Sequence, residues 1–302
     1  MPSLKEIKGR IGSVKSTLKI TSAMKLVASA KLRKAQQTIE GMRPYEMKLQ
    51  EILARVMEQA GAASFSGAYA RTEPQNASEE SATAAKQKIA LVAFASNSSL
   101  CGAFNANVVR LALETLRSYE NADVTVYSVG RKMAESMKKV GKPSPADYQK
   151  LADKPAYASA AELAESLMEA YREGRLDRVD LVYNHFVSSG KQVPVRETLL
   201  PMGEIPGGVI PSEAKESDIE YILEPSAAEL LEDLIPKSLR LKFYTALLDS
   251  NASEHAARTV AMQTATDNGE DLLQELTLQY NKGRQQKITS EILDLAGGSQ
   301  EQ

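Results

Sequence analysis

The segment SLKEIKGRIGSVKSTL, residues 3–18, decides the fold. Leu4, Ile7, Ile11, Val14 and Leu18 follow one another at alternating spacings of three and four residues. That is the apolar seam of a coiled coil, because 3.5 residues per repeat keep one face of a helix toward a partner. Ser3 and Glu6 form a capping box, so the helix starts at once. The seam drifts through Met24, Val27, Ala28 and Ala35 to Ile39 and Met42, and resumes at Leu49, Leu53, Val56 and Ala60. Pro44 removes one amide donor and is a candidate kink. A helix over 3–60 would be about 87 Å long at ~1.5 Å per residue. No globular domain of this chain's size covers such a helix along its length.

The other end of the chain asks for the same partner. No proline follows Pro236, and residues 237–295 predict one long helix with Leu241, Tyr244, Leu248, Ala252, Leu272, Leu276, Ile288 and Ile292 as apolar positions. Ala246, Ala256, Ala257, Ala261 and Ala265 are small enough for close approach of a second helix. Gly269 and Gly283 are weak points, costing about 1 kcal/mol each relative to Ala. Two long helices at opposite ends of one chain pair most economically as an antiparallel coiled coil.

Between them lies α/β sequence. Ile89–Ala95, Val124–Val129 and Val179–Val187 are short apolar strands, with helices predicted over Asn105–Tyr119, Arg131–Val140 and from the Ser159–Glu162 capping box to near Gly174. Alternation of strand and helix predicts a doubly wound, mainly parallel sheet, a Rossmann-like arrangement. Val193–Leu200 pairs with the third strand after the Ser189-Gly190 turn. Residues 203–218 are a loop, Ile219–Leu223 a last strand, and Ser226–Glu229 caps a short helix ending near Pro236. Residues 61–87 are small, polar and aperiodic, a flexible linker. The expected division is therefore a helix over 1–60, a linker over 61–87, an α/β domain over 88–236 and a helix over 237–302.

Composition narrows the function. The 302 residues carry 37 basic and 39 acidic side chains. Nine of the basic ones and a single acid fall within residues 1–34, which leaves 28 basic against 38 acidic, a net −10, for the rest. A basic helix on an acidic body predicts an extended anionic partner, and the continuous apolar seam favours an acidic protein surface over nucleic acid. No tryptophan and 5% aromatics argue against stacking on single-stranded nucleic acid. One cysteine excludes an internal disulfide, and two histidines leave no Cys/His zinc set. No apolar run reaches the ~20 residues of a membrane span, and the start shows no secretory leader.

Candidate sites are few. The turn after the first strand, Ser96–Phe104, lacks G-x-G-x-x-G, and the chain has no Walker-type glycine loop. Cys101, without a nearby base, is a small core residue before it is a nucleophile. His255, beside Glu254 on the last helix, belongs to a helix surface or interface, and His185 to a strand core. No catalytic, cofactor or metal residue is predicted.

Two further segments carry a family resemblance. ITSAMKLVASAKLRKAQ, residues 20–36, resembles the N-terminal signature of the gamma subunit of F-type ATP synthases. SEHAARTVAM at 253–262, ATDNG at 265–269 and YNKGRQQKIT at 280–289 resemble its C-terminal signature. The resemblance implies a rotary shaft that couples ion flow through a membrane ring to ATP synthesis or hydrolysis in an alpha–beta hexamer, with no cofactor and no catalytic site of its own. It implies one copy per complex, with alpha, beta, epsilon and c-ring partners, peripheral on the cytoplasmic face of a bacterial inner membrane. It places Met24, Arg258, Gln285 and Thr289 against the head, and Tyr221 and Glu224 near the ring and epsilon. Asn97-Ser98-Ser99 stands where the family carries Asp-Arg-Gly before Leu-Cys-Gly, and Cys101 alone excludes the cysteine-pair switch of the plant chloroplast type. The competing reading is a nucleotide-binding α/β enzyme with coiled-coil arms.

Overall fold

The computed structural model describes residues 3–60, 69, 86–202 and 223–298. Most of the expected linker, the loop 203–218, the 219–222 part of the last expected strand, and Tyr221 lie outside the described residues. The chain forms two compact units, one of Met1–Ala30 with Arg258–Gln302, the other of Lys31–Ala257. Two helices contribute to both: α1, Leu4–Ala60, and the C-terminal helix, Ala227–Gly298.

In the first unit the two helices pair along the heptad seam. The capping box forms at the start of α1: the Ser3 amide donates to Glu6 Oε2 (3.0 Å) and the Glu6 amide to Ser3 Oγ (3.3 Å). Gly269 and Gly283 prove to be notches. A Cβ at Gly269 would lie 2.7 Å from Leu18 Cδ2, and one at Gly283 would lie 3.0 Å from Leu4 Cδ2. Leu4 and Leu18 are as far apart in sequence as Gly269 and Gly283, so an antiparallel pair in constant register seats both leucines. The seam does not drift. Thr21, Lys25 and Ala28 continue the three-four spacing on the covered face, whereas Val27 is 58% exposed. Apolarity alone misplaces the stripe, because threonine and lysine stems occupy seam positions as well.

The second unit is built on a four-stranded sheet in the order β2-β1-β3-β4. The strands are β1 Lys88–Phe94, β2 Asp123–Val129, β3 Arg178–Ser188 and β4 Lys191–Leu200. β1 pairs in parallel with β2 and β3, and β4 returns antiparallel to β3. The intervening helices are α2 Phe104–Ser118, α3 Arg131–Lys139, α4 Gln149–Asp153 and α5 Tyr157–Arg172. β1 is buried from Ile89 to Phe94. Ile89, Leu91 and Ala93 join α2 and α3 through Val108, Ala112, Met133 and Met137. Ala90, Val92 and Phe94 face α5 and the C-terminal helix, where the Phe94 ring meets Phe243 edge-on at 5.6 Å. A strand covered on both faces reads as a continuous apolar run, which is why it was visible in sequence. The outer edge of β2 is closed by side chains: Lys142 Nζ donates to the Val124 carbonyl (3.1 Å) and the Ser128 amide to Ser144 Oγ (3.2 Å).

Two boundaries and the placement of one histidine differ from the sequence expectation. α5 begins at Tyr157, ahead of the Ser159 capping box, with no side-chain cap. Its first turn is held by packing, the Tyr157 ring lying edge-on to Tyr244 at 5.5 Å. The C-terminal helix, α6, starts at Ala227 and runs through Pro236 without a break. Leu231, Ile235 and Leu239 are buried on one face across the proline, and that burial offsets the roughly 3 kcal/mol that an interior proline costs. His185 is exposed rather than core, since β3 leaves the covered part of the sheet after Asn184.

The two helical notches differ in tightness. Gly283→Ala sets helix propensity worth up to about 1 kcal/mol against a tight 3.0 Å contact with the Leu4 methyl, so the thermal midpoint followed by circular dichroism should change little. Gly269→Ala should lower it, because its Cβ would lie 2.7 Å from Leu18 Cδ2 and 3.3 Å from its Cγ and forces that leucine out of its seat. Gly130 is tighter still. Its φ is 101° and a Cβ would lie 2.1 Å from the Ala95 carbonyl oxygen. Gly130→Ala should destabilise by roughly 2–4 kcal/mol in urea titration.

Candidate functional surface

The polar groups of the turn after β1 are already spent. Asn97 Nδ2 donates to the Gln149 carbonyl (2.8 Å), and its Oδ1 accepts the Arg131 amide at the start of α3 (2.9 Å). The Lys132 amide donates to the Ser96 carbonyl (3.1 Å). Asn105 Nδ2 bonds Ser96 Oγ (2.8 Å) and lies 3.1 Å from Cys101 Sγ. Cys101 is buried, as a core residue should be. The first amides of α3 are thus held by oxygens of the turn itself. Among the described residues no group of His, Cys, Asp and Glu could hold a metal, and no helix is long and apolar enough to cross a membrane.

The first unit instead presents a long surface. Lys5, Lys8, Arg10, Lys15 and Lys19 are exposed along α1. Ile20 and Leu26 on α1, and Leu278, Ile288 and Ile292 on α6, are also largely exposed. Mixed basic and apolar exposure of this length marks an interaction surface. Met24, half-buried, and Gln285 and Thr289, exposed, lie in this unit. Thr289 Oγ1 donates to the Gln285 backbone carbonyl (2.9 Å), and the four-residue spacing sets both side chains on one helix face. Arg258 belongs to the same unit but is only 8% exposed. Glu224 is exposed just before α6, in the other unit.

The second unit carries a charge cluster that the sequence did not announce. Asp180 is fully buried, and Arg178 Nε and Arg196 Nε each donate to it at 2.9 Å. The Tyr119 hydroxyl donates to the same carboxylate (2.6 Å), and burial with that bond pushes its pKa up to about 12. Beside this cluster a cavity of about 740 Å³ is lined by Glu46, Glu197, Lys242, His185 and Asp249. Lys242 Nζ lies 2.9 Å from Glu197, and His185 Nδ1 2.5 Å from Asp249 Oδ2. Glu46 occupies a seam position of α1. Burial, and then Glu197, holds its carboxyl above the ordinary range. Burial also raises Asp249, opposed by its bonds to His185 and to the Phe186 amide. His255 is buried, next in sequence to Ala256, which with Ala252 packs on Leu32 and Ala35.

With that geometry in hand, comparison with known proteins is decisive. A family model described as ATP synthase matches residues 3–300. An ATP synthase gamma chain of Bacteroides fragilis is 52% identical over 309 residues, covering 99% of each chain. The chain belongs to the ATP synthase gamma-chain family. The gamma chain of Flavobacterium johnsoniae is 39% identical over 300 residues, again across 99% of each chain. Among solved structures, a chain of the Euglena gracilis mitochondrial ATP synthase shares the fold at a TM-score of 0.60 and 21% identity, covering 98% of this chain and 93% of that one. The fold of this gamma-chain family member is thus two long helices flanking a mainly parallel sheet.

The raised carboxyls have a stability consequence. A carboxyl whose folded pKa exceeds its unfolded value binds protons more tightly when folded. Stability therefore falls as pH rises from the ordinary 4.5 of Glu46 through its raised folded value. Glu46→Gln should raise the thermal midpoint at neutral pH, and the gain should vanish below pH 4.5, as thermal melts across that range would show.

Proposed function

We propose that this chain is the central shaft of an F-type ATP synthase, transmitting rotation between a membrane ring and a catalytic head of alpha and beta subunits. The carrying observation is the antiparallel helix pair of the first unit, with its long basic and apolar exposure, in a chain of the gamma-chain family. The chain contributes no catalytic group and holds no cofactor; nucleotide chemistry belongs to the head. Met24, Gln285 and Thr289 contact the head. Arg258, buried against its own chain, meets the head only through its remaining edge and otherwise supports the helix that carries Gln285. Glu224 and Tyr221 contact the ring and the epsilon subunit in the second unit. One copy serves each complex, held peripherally on the cytoplasmic face of the bacterial inner membrane by its partners.

A rotating shaft needs contacts that attract without trapping one angle. Exposed lysines meet acidic surfaces through forces screened over about 8–10 Å, so the attraction stays shallow as the shaft turns. Desolvated ion pairs would instead hold one orientation.

The test is reconstitution with the alpha and beta subunits of the same organism, with a probe on the second unit. Rotation coupled to ATP hydrolysis is the expected result. A well-folded chain that fails to assemble with them would sink the proposal. In the same assay Gln285→Ala and Thr289→Ala should each retain most of the wild-type torque, since the coupling is distributed; total loss in either would contradict that.

A further inference from the structure

Antiparallel coiled coils have an ambiguity that the apolar seam cannot resolve. Sliding one helix by whole heptads along the other keeps apolar residues facing apolar residues. In the first unit three observations remove that freedom. Leu18 fills the notch at Gly269, Leu4 fills the notch at Gly283, and Thr266 Oγ1 donates to Thr21 Oγ1 at 3.1 Å. Thr21 Oγ1 in turn donates to the Leu18 carbonyl at 3.1 Å, so the hydroxyl pair is anchored one turn from the first notch.

The consequences of a slip follow from the residue positions. After one heptad either way, Leu18 faces Leu276 or Met262, large against large, and Gly269 faces Ile11 or Lys25. The notches therefore reject a one-heptad slip. A two-heptad slip is subtler, because the two leucines and the two glycines have equal spacing. Leu18 could then fall on Gly283, or Leu4 on Gly269, with one notch still filled. The threonines reject both: Thr21 would face Tyr280 in the first case, and Thr266 would face Ile7 in the second. Either way the bond between the two helices is lost, each hydroxyl falls back on a carbonyl of its own helix (Leu18 for Thr21, Met262 at 2.8 Å for Thr266), and the small threonine is replaced as a neighbour by a bulky side chain in a closely packed seam. Thr266 is only 9% exposed.

We propose that Gly269, Gly283 and the Thr21–Thr266 pair are positioning residues that lock the two shaft helices against axial sliding, and that this lock gives the shaft its stiffness. Two rods free to slide bend and twist as two thin rods; two rods pinned against sliding deform as one thicker rod. The stiffness half of the proposal rests on the shaft reading, and the register half does not.

The experiment uses the full chain in a Cys101→Ser background. Ile7→Cys with Tyr280→Cys reports the native register. Ile7→Cys with Leu273→Cys, or with Lys287→Cys, reports a slip of one heptad, and Ile7→Cys with Asp294→Cys a slip of two. Oxidative cross-linking of the otherwise native chain should give the in-register product. Gly269→Leu, and Gly269→Leu combined with Thr266→Val, should raise the ratio of slipped to in-register product on the order of tenfold, the change that about 1.4 kcal/mol between registers produces. Thr266→Ser, which keeps the hydroxyl, should leave the ratio unchanged. An unchanged ratio in Gly269→Leu and in the combined variant would overturn the lock. In the complex with alpha and beta subunits, the combined variant should hydrolyse ATP with reduced rotation under load. Native rotation under load despite a slipped register would overturn the stiffness half. Failure of the unsubstituted chain to assemble would instead count against the shaft reading, and the cross-linking result would stand apart from it.

Discussion

An α-helix satisfies its own backbone hydrogen bonds but cannot bury its own apolar stripe, and a helix of more than fifty residues presents a long one. Everything else in this chain answers that constraint. The first stripe is met by a second helix from the far end of the sequence, so the chain must close on itself before either helix is stable in water. In the first unit, where no sheet lends support, helix–helix packing supplies nearly all the burial. There the small residues matter as much as the large ones, because Leu4 and Leu18 are accommodated only where glycine leaves room. A glycine that weakens an isolated helix becomes the receptacle of its partner's side chain.

The second unit solves a different problem. Its central strand is covered on both faces, so its stability does not depend on any one helix. The polar turn at the end of that strand, which in many doubly wound folds receives a phosphate, here brackets α3 and α4 through Asn97. The same turn thus ties two helices to the end of the central strand. The buried Asp180, shared by two arginines and a tyrosine, fixes the antiparallel strand to the sheet through charge-assisted bonds.

Much of the fold was legible because its periodicities are strong. The seam over residues 4–18, the apolar run of β1, and the β3–β4 hairpin all follow from spacing. The errors share a cause, in that local signals were outweighed by tertiary packing. The seam past Leu18 was misplaced because Thr21 and Lys25 hold seam positions while the apolar Val27 faces solvent. Pro236 looked like a helix end, but Leu231, Ile235 and Leu239 carry the core straight across it. His185 sat in an apolar run yet lies beyond the sheet's cover, paired with an aspartate sixty-four residues away. The Asp180 and Glu46 clusters were invisible because their members come from separate elements, and no spacing rule joins them. Candidate contact residues were legible only through family resemblance, since nothing in their chemistry distinguishes Gln285 or Thr289 from other exposed helix positions.

The closed edge of β2 bears on the life of the chain before it meets any partner. A newly made subunit waits in a crowded cell with its unpaired strands open to recruitment by other chains. Lys142 and Ser144 occupy the hydrogen-bonding positions at Val124 and Ser128 that a foreign strand would use. A foreign strand that approaches this edge therefore finds its anchoring points already taken, and recruitment along β2 is blocked before any partner arrives.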